Sequence, residues 1–194
     1  MGTVGIVLAA GESRRMGSPK ALLRGADGVP LAAKQAETLR AGGCDPVAAV
    51  LGSAIERIRR ELPPGLATVE NPRWAQGRAS SLQAGIGAFP AAAGWLFLPV
   101  DAVGVKTETI RALLAAAEQD PAAIWRPVHG GHKGNLLWIP RAAGRELMRL
   151  SAGARVDEWA RPRARTLEVD DAAILRNVNT PEEWAAARQT AGGG

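Results

Sequence analysis

The sequence predicts an α/β domain on a mainly parallel sheet covered by helices on both faces. Three observations predict it. Apolar runs alternate with helical patterns from one end of the chain to the other. The runs are near-continuous rather than alternating, as in strands buried on both faces. The length of 194 residues, with 46% hydrophobic and 22% charged, suits one domain with a sizeable core.

Strands are expected at Val4–Ala9, Pro46–Leu51, Ala67–Glu70, Trp95–Val100, Ala123–Pro127, Leu136–Ile139 and Arg165–Val169. Helical patterns fill most of the gaps, and several carry start signals. Ser53-Ala54-Ile55-Glu56 reads as a capping box, a serine cap answered by a glutamate three residues on. Thr107 and Pro140 open two further helices. Thr180-Pro181-Glu182-Glu183 repeats the capping logic with proline at the first helical position. No repeat and no linker interrupts the pattern. One domain is therefore expected over residues 1–190, with 191–194 as a flexible tail.

Composition removes several function classes. A net charge of +5 permits anionic partners, but the six Trp and two Phe are scattered rather than interleaved with basic residues. The charge is expected on solvated helix faces, with no nucleic-acid partner. Cys44 stands alone, so neither a disulfide framework nor a multi-cysteine metal site can form within the chain. The start, MGTVGIVLAAGE, has no basic leader, and its apolar run is too short for a bilayer or a signal core. Ile6 breaks the myristoylation pattern. A cytoplasmic protein with no membrane partner is expected.

In doubly covered sheets, ligands bind beyond the carboxyl ends of the strands, which selects the loops that matter. The first of them reads GESRRMGSPK, from Gly11 to Lys20. Gly11 and Gly17 allow close backbone approach to a ligand, Ser13 adds a hydroxyl, and exposed N–H groups of such a loop form an anion nest. Arg14, Arg15 and Lys20 can neutralise a triphosphate, the arginines with forked contacts and the lysine as a point charge. The spacing is not that of a Walker A loop. The competing account is a solvated turn with its arginines in water. At the end of the fourth strand, Asp101 offers a carboxylate on the same crevice. Such a group suits Mg²⁺, which takes one or two carboxylates together with phosphates. A plain turn residue is the alternative.

The run Leu8-Ala9-Ala10-Gly11-x-Ser13-x-Arg15-Met16-Gly17-x-Pro19-Lys20 resembles the signature of the MobA-like NTP transferases, the nucleotidyltransferases that finish molybdenum cofactors. Ala10 and Pro19 are more similar to the cytidylyltransferase branch than to the guanylyltransferase branch. The resemblance implies a single Rossmann-like three-layer domain of the nucleotide-diphospho-sugar transferase type. It implies nucleotide contacts from Leu8, Ala9, Ala10, Gly11 and Ser13, and a phosphate grip from Arg15 and Lys20. Asp101 matches the family's metal-binding aspartate, although Val103 stands where a proline is usual. Asn177-Val178-Asn179-Thr180-Pro181-Glu182 resembles the N-x-N-T-P-E ending of the guanylyltransferase branch, adding Asn177 or Asn179 as metal-side oxygens. For Asn179 and Thr180, helix capping is the alternative.

Asn71-Pro72-Arg73-Trp74-Ala75-Gln76-Gly77-Arg78-Ala79-Ser80-Ser81-Leu82 resembles the family's stretch that closes over the base, which implies contacts from Gly77 and Ser81. Pure capping by Ser80 competes with that reading. His132, Lys133 and Asn135 fall in the family's acceptor region, but Asn135-Leu136 replaces its usual His-Pro. A zinc pair of His129 and His132 lacks a third ligand. Trp125, Trp138 and Trp159 are expected in the core or in a pocket wall.

The resemblance implies transfer of CMP from CTP to molybdopterin, with Arg15, Lys20 and Asp101 as catalytic residues and Mg²⁺ as cofactor. A molybdoenzyme is the implied recipient of the product. Guanylyl transfer from GTP, or a sugar-phosphate acceptor, is the first alternative. A non-catalytic molybdopterin or nucleotide carrier is the second.

Overall fold

The computed structural model describes residues 2–191. Strand β1 (Thr3–Ala9) lies between β2 (Val47–Leu51) and β4 (Gly94–Pro99) and is parallel to both. β3 (Ala67–Glu70) continues the parallel sheet beyond β2. Beyond β4 the order runs through β7 (Leu137–Pro140), β5 (Ile124–His129) and the two-residue β6 (His132–Lys133). β7 is antiparallel to both β4 and β5, and β8 (Ala164–Glu168) pairs in parallel with β5. All seven expected strands are present, with no end shifted by more than two residues, and the sheet is mainly parallel. β6 was not anticipated, because two exposed polar residues carry no strand pattern.

Helices cover both faces, and the strand residues alternate between two cores. On one side α1 (Leu31–Ala41), α2 (Ile55–Glu61) and α4 (Thr107–Gln119) press Leu39, Ile58, Ile110 and Leu113 onto Val7, Ala49, Leu96 and Leu98. α7 (Pro181–Ala191) adds Trp184 to the same layer. On the other side α3 (Arg78–Ala88), α5 (Arg141–Leu147) and α6 (Val156–Ala160) pack Leu82, Ile86, Leu147 and Val156 against Ile6, Val50, Trp95 and Phe97. Trp138 is buried, while Trp125 and Trp159 are half-buried against the two cores.

The two capping predictions came out differently. At α7 the Glu183 carboxylate accepts from the N–H groups of Asn179 and Thr180, and the Glu183 N–H donates to Thr180 Oγ1 at 3.3 Å. The box at Ser53 does not form. The Ser53 N–H donates to the carbonyl of Ala10 at 3.0 Å, Ala54 takes the left-handed conformation at φ 54°, and no side chain caps α2. A tertiary bond to the loop after β1 overrides the local signal. α7 runs on to Ala191, the first residue of the expected tail, whose other residues lie outside the described ones. Cys44 is buried, and no helix among the described residues is long and apolar enough to cross a membrane.

Candidate active site

The chain leaves β1 to reach β2 on one side and, after β3, returns to β4 on the other. The crevice at the carboxyl ends of β1 and β4 is thus the sheet's topological switch point. The loop after β1 is a built object rather than loose chain. Ser13 sits at φ 58° in the left-handed region, residues Arg14–Met16 form one 3-10 turn, and Gly17 closes it at φ 72°. Buried Met16 anchors the turn, and the Ser13 hydroxyl accepts the Lys20 N–H at 3.1 Å. Ser13 therefore fixes where Lys20 begins.

The loop's cations part company. Arg14 pairs with Glu12 at 2.7 Å on the surface. Arg15 is exposed, with no hydrogen bond or ion pair to the described residues. Lys20 turns inward, its side chain 13% exposed, and its ammonium donates to Asp101 Oδ2 at 2.7 Å and to Asn179 Oδ1 at 2.8 Å. These three residues come from the first loop, the end of β4 and the approach to α7.

Asp101 is held from the backbone. Its carbonyl accepts the N–H of Val103 and the N–H of Val178, each at 3.0 Å. The Val103 bond is one that proline could not donate, so this chain keeps its turn by other means than the family's usual residue. The Val178 bond docks the 177–180 segment beside the aspartate. Thr180 and Glu183 carry out the capping, which leaves the Asn179 amide oxygen for Lys20. Asn177 enters only through its carbonyl, which accepts the Asn179 Nδ2 at 3.3 Å, and its side chain is exposed.

Two hard oxygens, one anionic and one neutral, thus share a single cationic neighbour. Among the described residues no three of His, Cys, Asp or Glu gather to hold a metal unaided. The donor set fits Mg²⁺, which accepts few protein ligands when phosphates complete its shell.

Two cavities flank the switch point. One, of about 130 Å³, is lined by Leu8, Ala9, Gly11, Ser13, Lys20 and Asp101 among others. The second, of about 350 Å³, opens on the α3 side between Leu8, Ala10, Gly11, Trp74, Gly77 and Ser81, with Arg78 and Pro99 completing it. Every expected nucleotide contact except Arg15 therefore lines one cavity or the other. Gly77 has φ 124°, a conformation side chains rarely adopt, and its carbonyl accepts the Ser80 hydroxyl at 2.8 Å. No side chain caps α3, since the Ser80 hydroxyl is spent as a donor to that carbonyl. Ser81 faces the cavity and accepts from Asn71 Nδ2 at 3.0 Å.

The acceptor residues are not gathered in the same way. His132 and Lys133 are exposed on β6 and line neither cavity, because the return strand carries them past the crevice. His129 is tied by Nδ1 to the Val169 carbonyl at 2.9 Å. Asn135 reaches the site through its carbonyl, which accepts from Arg78 Nη2 at 2.8 Å. Sequence reasoning passed over Arg78 and Asn71. Arg78 occupies a variable position of the motif, but a cation at a helix start facing a ligand edge is a signal in itself.

Residues 5–169 match the family described as the MobA-like NTP transferase domain. The probable molybdenum cofactor guanylyltransferase of Rhodopirellula baltica is 29% identical over 123 residues, 62% of this chain and 58% of that protein. Nicotine blue oxidoreductase of Paenarthrobacter nicotinovorans is 37% identical over 115 residues, 58% of this chain and 55% of that protein. The matched stretch spans little more than half the length of either curated relative. The crystal structure of Rv0371c from Mycobacterium tuberculosis superposes with a TM-score of 0.81 at 24% identity, over 97% of this chain and 99% of that one. Its manganese complex does so with a TM-score of 0.76 at 22% identity, over 98% and 100%. At those identities the likeness concerns the fold, which is the one expected. The family match includes the cationic loop, the Gly77–Ser81 segment and Asp101, and the chain belongs to the MobA-like NTP transferase family.

Proposed function

We propose that the chain is a nucleotidyltransferase that moves a nucleoside monophosphate, CMP from CTP by preference, onto the terminal phosphate of a molybdopterin-type acceptor and releases pyrophosphate. The observation that carries this reading is the meeting of Lys20, Asp101 and Asn179 at one point, with Lys20 and Asp101 in the wall of the smaller cavity. A solvated turn, a strand-end turn and a helix cap have no reason to converge there.

Lys20, joined by Arg15 once phosphate oxygens are within reach, neutralises the β- and γ-phosphates. Asp101 and Asn179 would hold Mg²⁺. When bound, the ion supplies charge neutralisation and alignment on the phosphate oxygens. The backbone around Leu8–Gly11, together with Gly77 and Ser81, would receive the nucleoside. Ala10 lines the larger cavity at the position where the guanylyltransferase branch usually has glycine, which supports a pyrimidine.

An oxygen of the acceptor phosphate attacks the α-phosphorus. The bond from that phosphorus to the bridging oxygen breaks, and its electron pair leaves with pyrophosphate. The nucleophile is already anionic, so positioning and charge neutralisation replace a general base. A molybdenum enzyme that accepts the dinucleotide is the partner such a reaction implies.

The test is pyrophosphate release with CTP, GTP, UTP and ATP, each with and without molybdopterin, in the presence of Mg²⁺. The expected result is release that requires both partners and is fastest with CTP. Faster release with GTP would move the base assignment to the branch of the Rhodopirellula relative. Ligand binding without release from any pair would leave the carrier reading. A second reading comes from the 37% identical relative, whose name is that of an oxidoreductase. It predicts a redox conversion of nicotine blue and no pyrophosphate.

A further inference from the structure

A second basic group stands across the sheet edge from Lys20. Val7 and Ala9 of β1 face the α1 layer, whereas Leu8 and Ala10 face the α3 layer. Lys20 lines the cavity beside Ala9, and Arg78 lines the one beside Ala10. The Asp101 carboxylate, bonded to Lys20, is also close enough to favour the charged form of Arg78.

Arg78 is under-compensated. Its fork makes a single hydrogen bond among the described residues, from Nη2 to the Asn135 carbonyl, and its Nη1 lies 3.6 Å from Asp157 Oδ2. Arg126 on β5, with a side chain 10% exposed, makes the closer pair with that same carboxylate. The Arg126 Nε is buried without a partner among the described residues. Two guanidinium groups therefore share one acid and leave a net positive charge beside the larger cavity. Burial pushes the Arg78 guanidinium below its ordinary value, and the Arg126 charge adds to that push against the pull of Asp157 and Asp101. A bound anion would relieve both.

In-line displacement at phosphorus puts the attacking and leaving oxygens on opposite sides. The leaving pyrophosphate is assigned to the Lys20 face and the nucleoside to the Leu8–Gly11, Gly77 and Ser81 wall, which leaves the Arg78 guanidinium, turned to the Asn135 carbonyl of the expected acceptor segment, for the incoming group. We propose that Arg78 holds the terminal phosphate monoester of the acceptor, on the opposite face of the sheet edge from Lys20. This assignment rests on the nucleotidyltransferase reading above.

Arg78→Gln and Arg78→Lys test it, in initial-rate pyrophosphate release with CTP, Mg²⁺ and molybdopterin. The glutamine variant is expected to raise the KM for molybdopterin about 10- to 100-fold, the scale of a lost charge-assisted contact, with the KM for CTP within about twofold. The lysine variant, which keeps the charge and loses the fork, recovers part of that loss. An unchanged acceptor KM, or a rise confined to the KM for CTP, overturns the assignment.

A second measurement does not need turnover. Calorimetric titration with phenyl phosphate, a bare phosphate monoester, should show about tenfold weaker binding to the glutamine variant than to wild type. Equal affinities, or no binding to wild type, overturn the role of Arg78. Failure of wild type to release pyrophosphate with any pair sinks the nucleotidyltransferase reading instead.

Discussion

The two basic groups that flank the sheet edge are compensated in opposite ways. Lys20 has both a carboxylate and an amide oxygen at hydrogen-bond distance. Arg78 shares a distant carboxylate with a second arginine and gives one hydrogen bond to a carbonyl. The first arrangement is balanced, and what it fixes is geometry, since it holds two oxygens ready around one cation. The second is unbalanced, and what it fixes is charge. A site that must receive both a cation with its phosphates and a separate anion needs one arrangement of each kind.

Breaking the balanced arrangement has the larger effect. Lys20→Ala is expected to lower turnover in pyrophosphate release by about 10²- to 10³-fold, the scale seen when one donor to developing charge is removed. The melting temperature should move by only a few degrees, because the Lys20 stem is held by a loop already anchored at Met16 and Ser13. Wild-type turnover in that variant would take the lysine out of the chemistry. It would also make the balanced pair an ordinary structural bridge.

The contrast also separates what was readable in the sequence from what was not. The fold was legible because near-continuous apolar strands and helical gaps express sheet burial residue by residue. Lys20 and Asp101 were legible because each ends a strand-to-loop passage on the ligand edge, where charge has few structural uses. The Arg78–Asp157–Arg126 cluster was hidden. Its members come from the starts of two helices and the middle of a strand, and no local pattern links residues 78, 126 and 157. Ser53 failed for the converse reason. Its local capping signal was complete, but the Ala10 carbonyl took its N–H and bent Ala54 out of the helical start. That His132 and Lys133 line neither cavity was not readable, because glycines on either side of β6 say that the chain turns, not where it points.

Removing the shared acid sharpens the second half of the comparison. Burial alone would raise the Asp157 carboxyl, but the hydrogen bond from Arg126 and the charges of Arg78, Arg126 and Arg161 hold it below the ordinary aspartate value. A depressed folded-state pKa contributes stability that is present above the unfolded value, about 3.9, and is lost as pH falls through the folded one. With the Asp157 side chain 56% exposed, solvent screens the pair. Asp157→Asn should therefore cost about 1 kcal/mol rather than the 3–5 of a fully buried pair. The melting temperature should drop by about 2–4 °C at neutral pH. The gap between variant and wild type should close as the pH is lowered below about 4. A gap that persists unchanged into acid would mean that Asp157 acts by packing, and the surplus charge on Arg78 would need another source.

The smallest effects distinguish the two asparagines before α7. Asn179 gives its amide oxygen to Lys20 at 2.8 Å, and Asn177 offers only a main-chain carbonyl to its neighbour. Neither caps the helix by its side chain, since Thr180 and Glu183 do that. Asn179→Ala should raise the Mg²⁺ concentration needed for half-maximal pyrophosphate release by about three- to tenfold, the worth of one neutral contact. Asn177→Ala keeps its carbonyl and should change that concentration less than about twofold. Equal responses would show that the segment acts as a backbone brace through Val178 and Asp101. The metal-side oxygens would then reduce to the aspartate alone, and the arrangement around Lys20 would be less balanced than its hydrogen bonds imply.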